Sequence, residues 1–305
     1  MKKWILAGCL ALSFAVLGCA EDVSEQKAAE EKVAEEKVAI EETAETEETT
    51  AEEESTATTV FGTERKEFTF LVENPSWEYY CGEDGAAEAA PGIRLEKTGE
   101  KPNEITDLDV WQQENGITIP KIPYSDEDYA YEYEGEAYKA TNLLIQELSA
   151  DGKTWRFDFT EFSMPEEYNV EYVDFLNEGI YYARIQDEVL YVATGHNTYS
   201  EWAPHTGYIT AVDLESGEVL WKTEPRICNS DNFVIIGDSI VCGYGFTSED
   251  DFLYILDRSD GRWIERIPLA SAVDYIVKKE DMLYVRTYNT DYEFKIGINE
   301  QEGNP

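Results

Sequence analysis

The stretch that most limits what this chain can fold into is residues 208–225, YITAVDLESGEVLWKTEP, two strand-like runs joined by a short turn. In Tyr208-Ile209-Thr210-Ala211-Val212-Asp213, β-branched and aromatic residues recur with a rough two-residue alternation, as in a half-buried strand. Glu215-Ser216-Gly217 follows, where the glycine can take the positive φ of a tight reversal without Cβ strain. Glu218-Val219-Leu220-Trp221-Lys222 then returns antiparallel and carries a Trp. The design recurs. Residues 252–263 repeat it with Asp257, Gly261 and Trp263, and residues 143–157 repeat it more loosely with Asp151-Gly152 and Trp155. In the two closest copies the acid stands four residues before the glycine; in the third, Glu147 stands five before Gly152.

The run Ala211-Val212-Asp213-Leu214-Glu215-Ser216-Gly217-Glu218-Val219-Leu220-Trp221 resembles the aLDxxTGxxlW outer hairpin of the PQQ-like (quinoprotein-like) β-propeller repeat. The resemblance covers residues 127–296, most closely from Gly179 onward. It implies an all-β fold, a β-propeller of four-stranded antiparallel blades of about 40–45 residues each. Gly217 and Gly261 are 44 residues apart, one blade, whereas Gly152 and Gly217 are 65 apart, a blade with an insertion. This spacing predicts about five blades, within a range of about four to seven.

The clearest blade reads 232–236, 239–244, 252–257 and 263–267, and the one before it 180–185, 189–194, 208–214 and 219–222. The last shows only three strands, 272–277, 282–287 and 292–296. An open edge is usually covered, and the alternating run 67–72, with Phe68, Phe70 and Val72 on one face, is expected to complete that blade. Residues 81–92 read as a loop, and 126–139, alternating acid with Tyr, as a strand pair. Trp155, Trp221 and Trp263 are expected to wedge between blades, where large aromatic area is needed.

The ends are of a different material. Residues 1–18 carry Lys2, Lys3 and an apolar stretch from Trp4 to Leu17, the pattern of a secretory signal peptide. Val16-Leu17-Gly18-Cys19 resembles a bacterial lipobox, so Cys19 is expected to carry a diacylglycerol and palmitate anchor. Residues 19–60 form the tether. They hold fifteen acidic residues and three lysines, no aromatics, and the pentad Glu-Glu-Lys-Val-Ala twice. A five-residue period steps about 500° around a helix, so Val33 and Val38 share no stripe and no coiled coil is expected. A disordered tether is expected, reaching roughly 30–60 Å. The propeller is placed at 61–298 and a polar tail at 299–305. The expected location is the cell envelope, on the outer face of the cytoplasmic membrane, or on the outer membrane where the envelope has one.

The net charge is −41. Lys2 and Lys3 contribute +2 and the tether −12, which leaves −31 on the globular part. Such a surface repels nucleic acid and anionic headgroups and suits cationic partners, so no nucleic-acid partner is expected. Of five cysteines, three fall in the body, Cys81, Cys228 and Cys242. Their odd count and irregular spacing suit neither a disulfide framework nor a zinc site. A tight turn at Gly237-Asp238 sets Phe233 opposite Cys242, so no Cys228–Cys242 bridge is expected and both read as small buried hydrophobes.

No G-x-S-x-G and no P-loop is present, and the only two histidines, His196 and His205, share one loop. That loop, 195–206, its counterparts 243–250 and 288–291, and the link 226–231 are expected to converge on one mouth, a usual place for a binding surface. The candidate binding residues are His196, Asn197, Tyr199, Trp202, His205, Arg226, Tyr244, Phe246, Tyr288 and Asn289. The competing reading makes both histidines solvated loop residues and Trp202 a cover for a blade edge. A metal site from the two histidines and Glu201 lacks fixed ligand spacing, and the acid runs 126–128 and 249–251 lack the ligand alternation and central glycine of an EF-type loop. No metal and no catalytic residue is expected. Family members with quinoprotein activity generally carry more blades, a vicinal Cys pair and a calcium-bound cofactor; this chain has no adjacent cysteines, so pyrroloquinoline quinone is not expected. The expected function is a non-catalytic, surface-tethered binding or scaffold protein that engages a protein partner. The alternative is a sensor for a small molecule or glycan, with a quinoprotein-type oxidoreductase behind both.

Overall fold

The repeated hairpins form as their pattern requires. In a computed structural model that describes residues 66–83, 92–117, 129–141, 144–163, 178–196 and 204–298, Tyr208–Asp213 and Val219–Lys222 pair antiparallel around Gly217, whose φ is +75°. All described residues lie in Gly62–Pro305, the second of two units; the first is Met1–Phe61. The signal peptide, Cys19, the tether, the tail, Asn197, Tyr199 and Trp202 therefore fall outside the described residues.

The described strands make four sheets. The first contains β1 (Lys66–Leu71), β3 (Tyr129–Tyr133), β4 (Glu136–Thr141), β5 (Ile145–Ala150) and β6 (Lys153–Asp158), in the order β1-β6-β5-β4-β3. The second is β7 (Gly179–Gln186), β8 (Val189–Gly195), β9 (Tyr208–Asp213) and β10 (Val219–Lys222); the third is β11 (Val234–Ile236), β12 (Ser239–Tyr244), β13 (Phe252–Asp257) and β14 (Trp263–Pro268). The fourth joins β15 (Val273–Lys279), β16 (Met282–Thr287) and β17 (Thr290–Ile298) to β2 (Ile93–Pro102). A short helix, α1 (Leu108–Asn115), stacks Trp111 on Tyr275 at 5.8 Å. The fold is all-β and built of four-stranded antiparallel blades, four among the described residues, one of them widened to five strands by β1.

In the third sheet the central strands are buried, β12 at every residue and β13 at all but its first. Burial on both sides requires that each face of the sheet be covered by another layer. The seams are hydrogen-bonded as well as apolar. Tyr131 donates to the Ala183 carbonyl at 2.6 Å and accepts from the Ala183 amide at 2.9 Å, joining the first sheet to the second. Asn232 bonds both backbone groups of Ile276 at 2.8 Å, joining the third to the fourth. Each is a buried polar group satisfied by its neighbour, without which it would carry a desolvation penalty.

Two expectations are corrected. The last blade does take its fourth strand from the N-terminal side, but that strand is β2, antiparallel to β17 from Thr290↔Pro102 to Ile298↔Ile93. The run at 67–72 instead pairs parallel with β6, where Phe68 stacks on Trp155 at 5.8 Å and Phe70 on Phe157 at 5.4 Å. Length decides: β17 has nine residues and β2 ten, against six in β1. The second correction is Trp263, which is 41% exposed, while Trp155 and Trp221 are buried as wedges.

Candidate functional site

Register places the loop ends together. In the second sheet the pairs Gly179↔Gly195, Thr194↔Tyr208 and Thr210↔Lys222 put the start of β7, the end of β8, the start of β9 and the end of β10 at one end. The link to the third sheet leaves from there. The amides of Arg226, Ile227 and Cys228 donate to the carbonyls of Thr206, Gly207 and Gly207, and that of Asn229 to Gly243, so the link stitches this end to the matching end of β12. Arg226 holds φ at +64°, a left-handed backbone uncommon for a residue with a Cβ.

Beside this link lies a cleft of about 500 Å³, lined among others by Glu224, Arg226, Tyr244, Phe252, Trp263 and Arg266. The Arg266 guanidinium sits 4.7 Å over the Phe252 ring and 5.5 Å over that of Trp263, an arrangement in which ring quadrupoles hold the cation. Tyr244 donates to Glu249 at 2.7 Å. On the same loop, burial pushes the Asp251 carboxyl up to about 6, with Asp250 and Glu249 reinforcing it. The cleft therefore offers aromatic faces, two guanidinium groups and a carboxylate rim within one groove. Among the described residues no three His, Cys, Asp or Glu side chains are placed to hold a metal ion.

No protein-family model matches the chain, and no curated protein matches it. Among solved structures it is similar to BamB from Moraxella catarrhalis at 14% identity and TM-score 0.30, over 52% of this chain and 55% of that one. It is also similar to the WD40 β-propeller domain of Doa1 at 13% identity and TM-score 0.31, over 57% of this chain and 63% of that one. A third is GH43B of a Bacteroides ovatus xyloglucan locus, at 14% identity and TM-score 0.32, over 58% and 41%. The match spans just over half the length of the BamB chain. At this distance the likenesses accompany the fold read above and say nothing of a ligand.

A second constellation lies inside the same end of the second sheet. Lys222 is fully buried. Its Nζ donates to Asn74 Oδ1 at 2.8 Å and to the Ser76 carbonyl. The rings of Tyr208, Trp77 and Phe162 surround it at 3.9, 5.0 and 5.1 Å. Glu178 is 7% exposed, and its Oε1 has no hydrogen bond among the described residues. Burial pushes the Glu178 carboxyl well above the usual range, with Lys222 opposing. His196 Nε2 lies 4.0 Å from Glu178 Oε1. His205 approaches the Tyr208 hydroxyl at 3.5 Å and lies 5.5 Å from the Trp77 ring.

The structure thus sorts the sequence-derived site. Arg226 and Tyr244 line the cleft. His196 and His205 are 3% and 8% exposed, in the interior pocket rather than in a solvated loop. Phe246 is half-buried, and Tyr288 and Asn289 are exposed without lining the cleft. Sequence reasoning missed Arg266, Lys222 and Glu178. Lys222 follows a repeat Trp just as Arg156 follows Trp155, and Arg156 is a half-exposed partner of Glu147, so no sequence pattern separates the buried cation from the solvated one.

Proposed function

We propose that this chain is a non-catalytic binding propeller of the cell envelope, anchored through lipid on Cys19 and engaging a protein partner along the cleft of Arg226, Tyr244, Trp263 and Arg266. The carrying observation is the half-exposed Trp263 beside two arginines and a tyrosine in one groove. Trp, Tyr and Arg are the residue types that dominate interface energetics. The acidic remainder of the surface favours a partner with a basic contact face. The anchor places the propeller on the outer face of the cytoplasmic membrane, or on the outer membrane of an envelope that has one, with residues 19–60 as spacer.

The test is site-specific photocrosslinking in native membranes with the probe at Trp263. A discrete protein adduct that Arg266→Glu abolishes supports the reading; no adduct, together with selective binding on a glycan array, replaces it with the glycan sensor. Reduction of a dye after adding pyrroloquinoline quinone and calcium overturns the non-catalytic assignment. Cys19→Ser is expected to leave the protein in the soluble fraction or as an unprocessed precursor, and unchanged fractionation with unchanged mature mass removes the lipid anchor.

A further inference from the structure

The segment between β1 and β2 does more than connect. After β1 ends on the outer edge of the first sheet, the Val72 amide donates to the Asp158 carbonyl at 2.8 Å. The chain then crosses to the second sheet, where Tyr80 and Lys222 exchange backbone hydrogen bonds of 3.0 and 2.8 Å. Between these points Asn74 Oδ1 and the Ser76 carbonyl accept from Lys222 Nζ, the Trp77 carbonyl accepts from Tyr208 at 2.7 Å, and the Trp77 ring covers both Lys222 and His205. The Tyr79 hydroxyl reaches on to the Asp260 carbonyl of the third sheet at 3.0 Å. Residues 72–80 are thus a strap across two blade seams, and a single buried ammonium group is tied to it by side chain, backbone and ring.

We propose that this strap is a releasable clasp, gated by protonation of the closed pocket that holds Lys222 and Glu178. The groups facing Lys222 are Glu178 from the residue before β7, Glu78 and Trp77 from the strap, and Tyr208 from β9. Phe162, after β6, and His205, beside Tyr208 and Trp77, complete the surroundings. Glu178 is faced by Lys222, His196 and Tyr181.

Burial pushes the Lys222 ammonium down to about 7, while Glu178 and Glu78 pull it up. Burial moves Glu178 the other way. Once the strap lifts, both groups meet water and return to their ordinary values, near 10.5 and 4.5. The closed pocket holds the Glu178 proton more tightly than the open one, so falling pH favours closure. Above neutrality it gives up the Lys222 proton more readily, so rising pH also favours closure. The clasp is therefore loosest between the two titrations and tightens on both sides. Each limb is bounded at about tenfold in the opening constant per pH unit. The neutral amine keeps two N–H groups for the two acceptor oxygens of Asn74 and Ser76, so closure above neutrality loses no hydrogen bond there.

Hydrogen exchange of the whole chain, corrected for intrinsic rates, tests this at the Tyr80 and Lys222 amides. The paired Cys242 and Tyr254 amides of the third sheet serve as internal reference. Opening is expected to pass through a maximum and to fall on either side of it by at most about tenfold per pH unit. Lys222→Met is expected to erase the alkaline limb and Glu178→Gln the acid limb, each extending the limb that remains because the two groups oppose each other's shift. A flat profile, or limbs that survive both substitutions, overturns the clasp. Should Lys222→Met fail to fold, the side-chain Cε resonance of Lys222 in the unaltered protein decides: a midpoint near neutrality supports gating, and one near the ordinary lysine value overturns it.

Discussion

The indole Nε1 of Trp221 donates to the carbonyl of Arg258 in the next blade, 3.0 Å away. Trp155 makes the same bond to Leu214, also at 3.0 Å. Leu214 and Arg258 each follow the repeat acid, Asp213 and Asp257. Those acids shape the turn: Asp213 Oδ1 accepts from the Glu215 and Ser216 amides at 3.0 and 2.8 Å, and Asp257 Oδ1 from the Ser259 amide at 2.8 Å. Asp, Gly and Trp therefore recur as one device, in which the Trp of one blade docks on the Asp-to-Gly turn of the next. Among the described residues Trp263 has no such dock. The outer strand of the fourth blade is β2, supplied from the N-terminal side, so no β-hairpin turn joins it to β17. The freed indole lines the cleft instead.

Trp221→Phe is expected to leave the Arg258 carbonyl unpaired and lower stability by about 1–3 kcal/mol. Trp263→Phe is expected to change it by about 0.5 kcal/mol or less, as for a surface substitution. Urea midpoints that move equally for the two would remove the docking account.

At Gly261, φ is +77° and an added Cβ would collide with the Trp221 ring; at Gly217 it would collide with Phe70 of β1. Gly261→Val combines backbone strain with overpacking and is expected to cost about 2–5 kcal/mol. Gly152, with open space around it, meets the strain alone, so Gly152→Val is expected to cost about 1–3 kcal/mol. Thermal denaturation that ranks Gly152 at or above Gly261 contradicts the contact.

Chain shortening separates the two N-terminal strands. A chain beginning at Asn74 retains β2 and is expected to keep the fourth blade, while exposing the β6 edge and the Trp155 and Phe157 rings that β1 covers. A chain beginning at Asn103 loses β2 as well and is expected to aggregate, because β17 then offers an unpaired edge. Equal exchange protection of the β17 amides in both chains would show that β2 does not close the blade.

Burial also pushes Asp274 up to about 6, with Arg286 opposing, as it does Asp251. The folded chain holds these protons more tightly than the unfolded chain, so the contribution of these two carboxyls to stability falls as pH rises from about 4 to about 6 and levels off above. Asp251→Asn is expected to raise the melting temperature at pH 7 by about 2–4 °C and to flatten its fall between about pH 4 and 6. A variant that melts lower than the parent at pH 7 contradicts burial as the cause.

Cys228 and Cys242 are fully buried free thiols, and Cys81 is half-buried. An alkylating reagent is expected to label Cys81 first and the other pair only in denaturant, since access sets thiol reactivity. Rapid native labelling at Cys228 would mean that the link beside Arg226 opens locally.

Alternating patterns, the acid-to-glycine spacing and the recurring Trp sufficed to determine antiparallel hairpins and their assembly into blades, because period-two burial and positive φ are local demands met by local residues. The strands read for the second and third blades match those found to within a residue or two. Tertiary structure alone decided the rest. IRLEKTGEKP in β2 carries charges on a strand that is half solvated, so its place beside β17 was invisible, whereas the apolar alternation of β1 suited either edge. Arg226 and Tyr244 were legible as candidates because loops and links converge. The burial of Lys222 beside Glu178 was not, because one strap, 142 to 148 residues away in the chain, removes that ammonium from water. Desolvation belongs to the assembled pocket and leaves no trace in the order of residues.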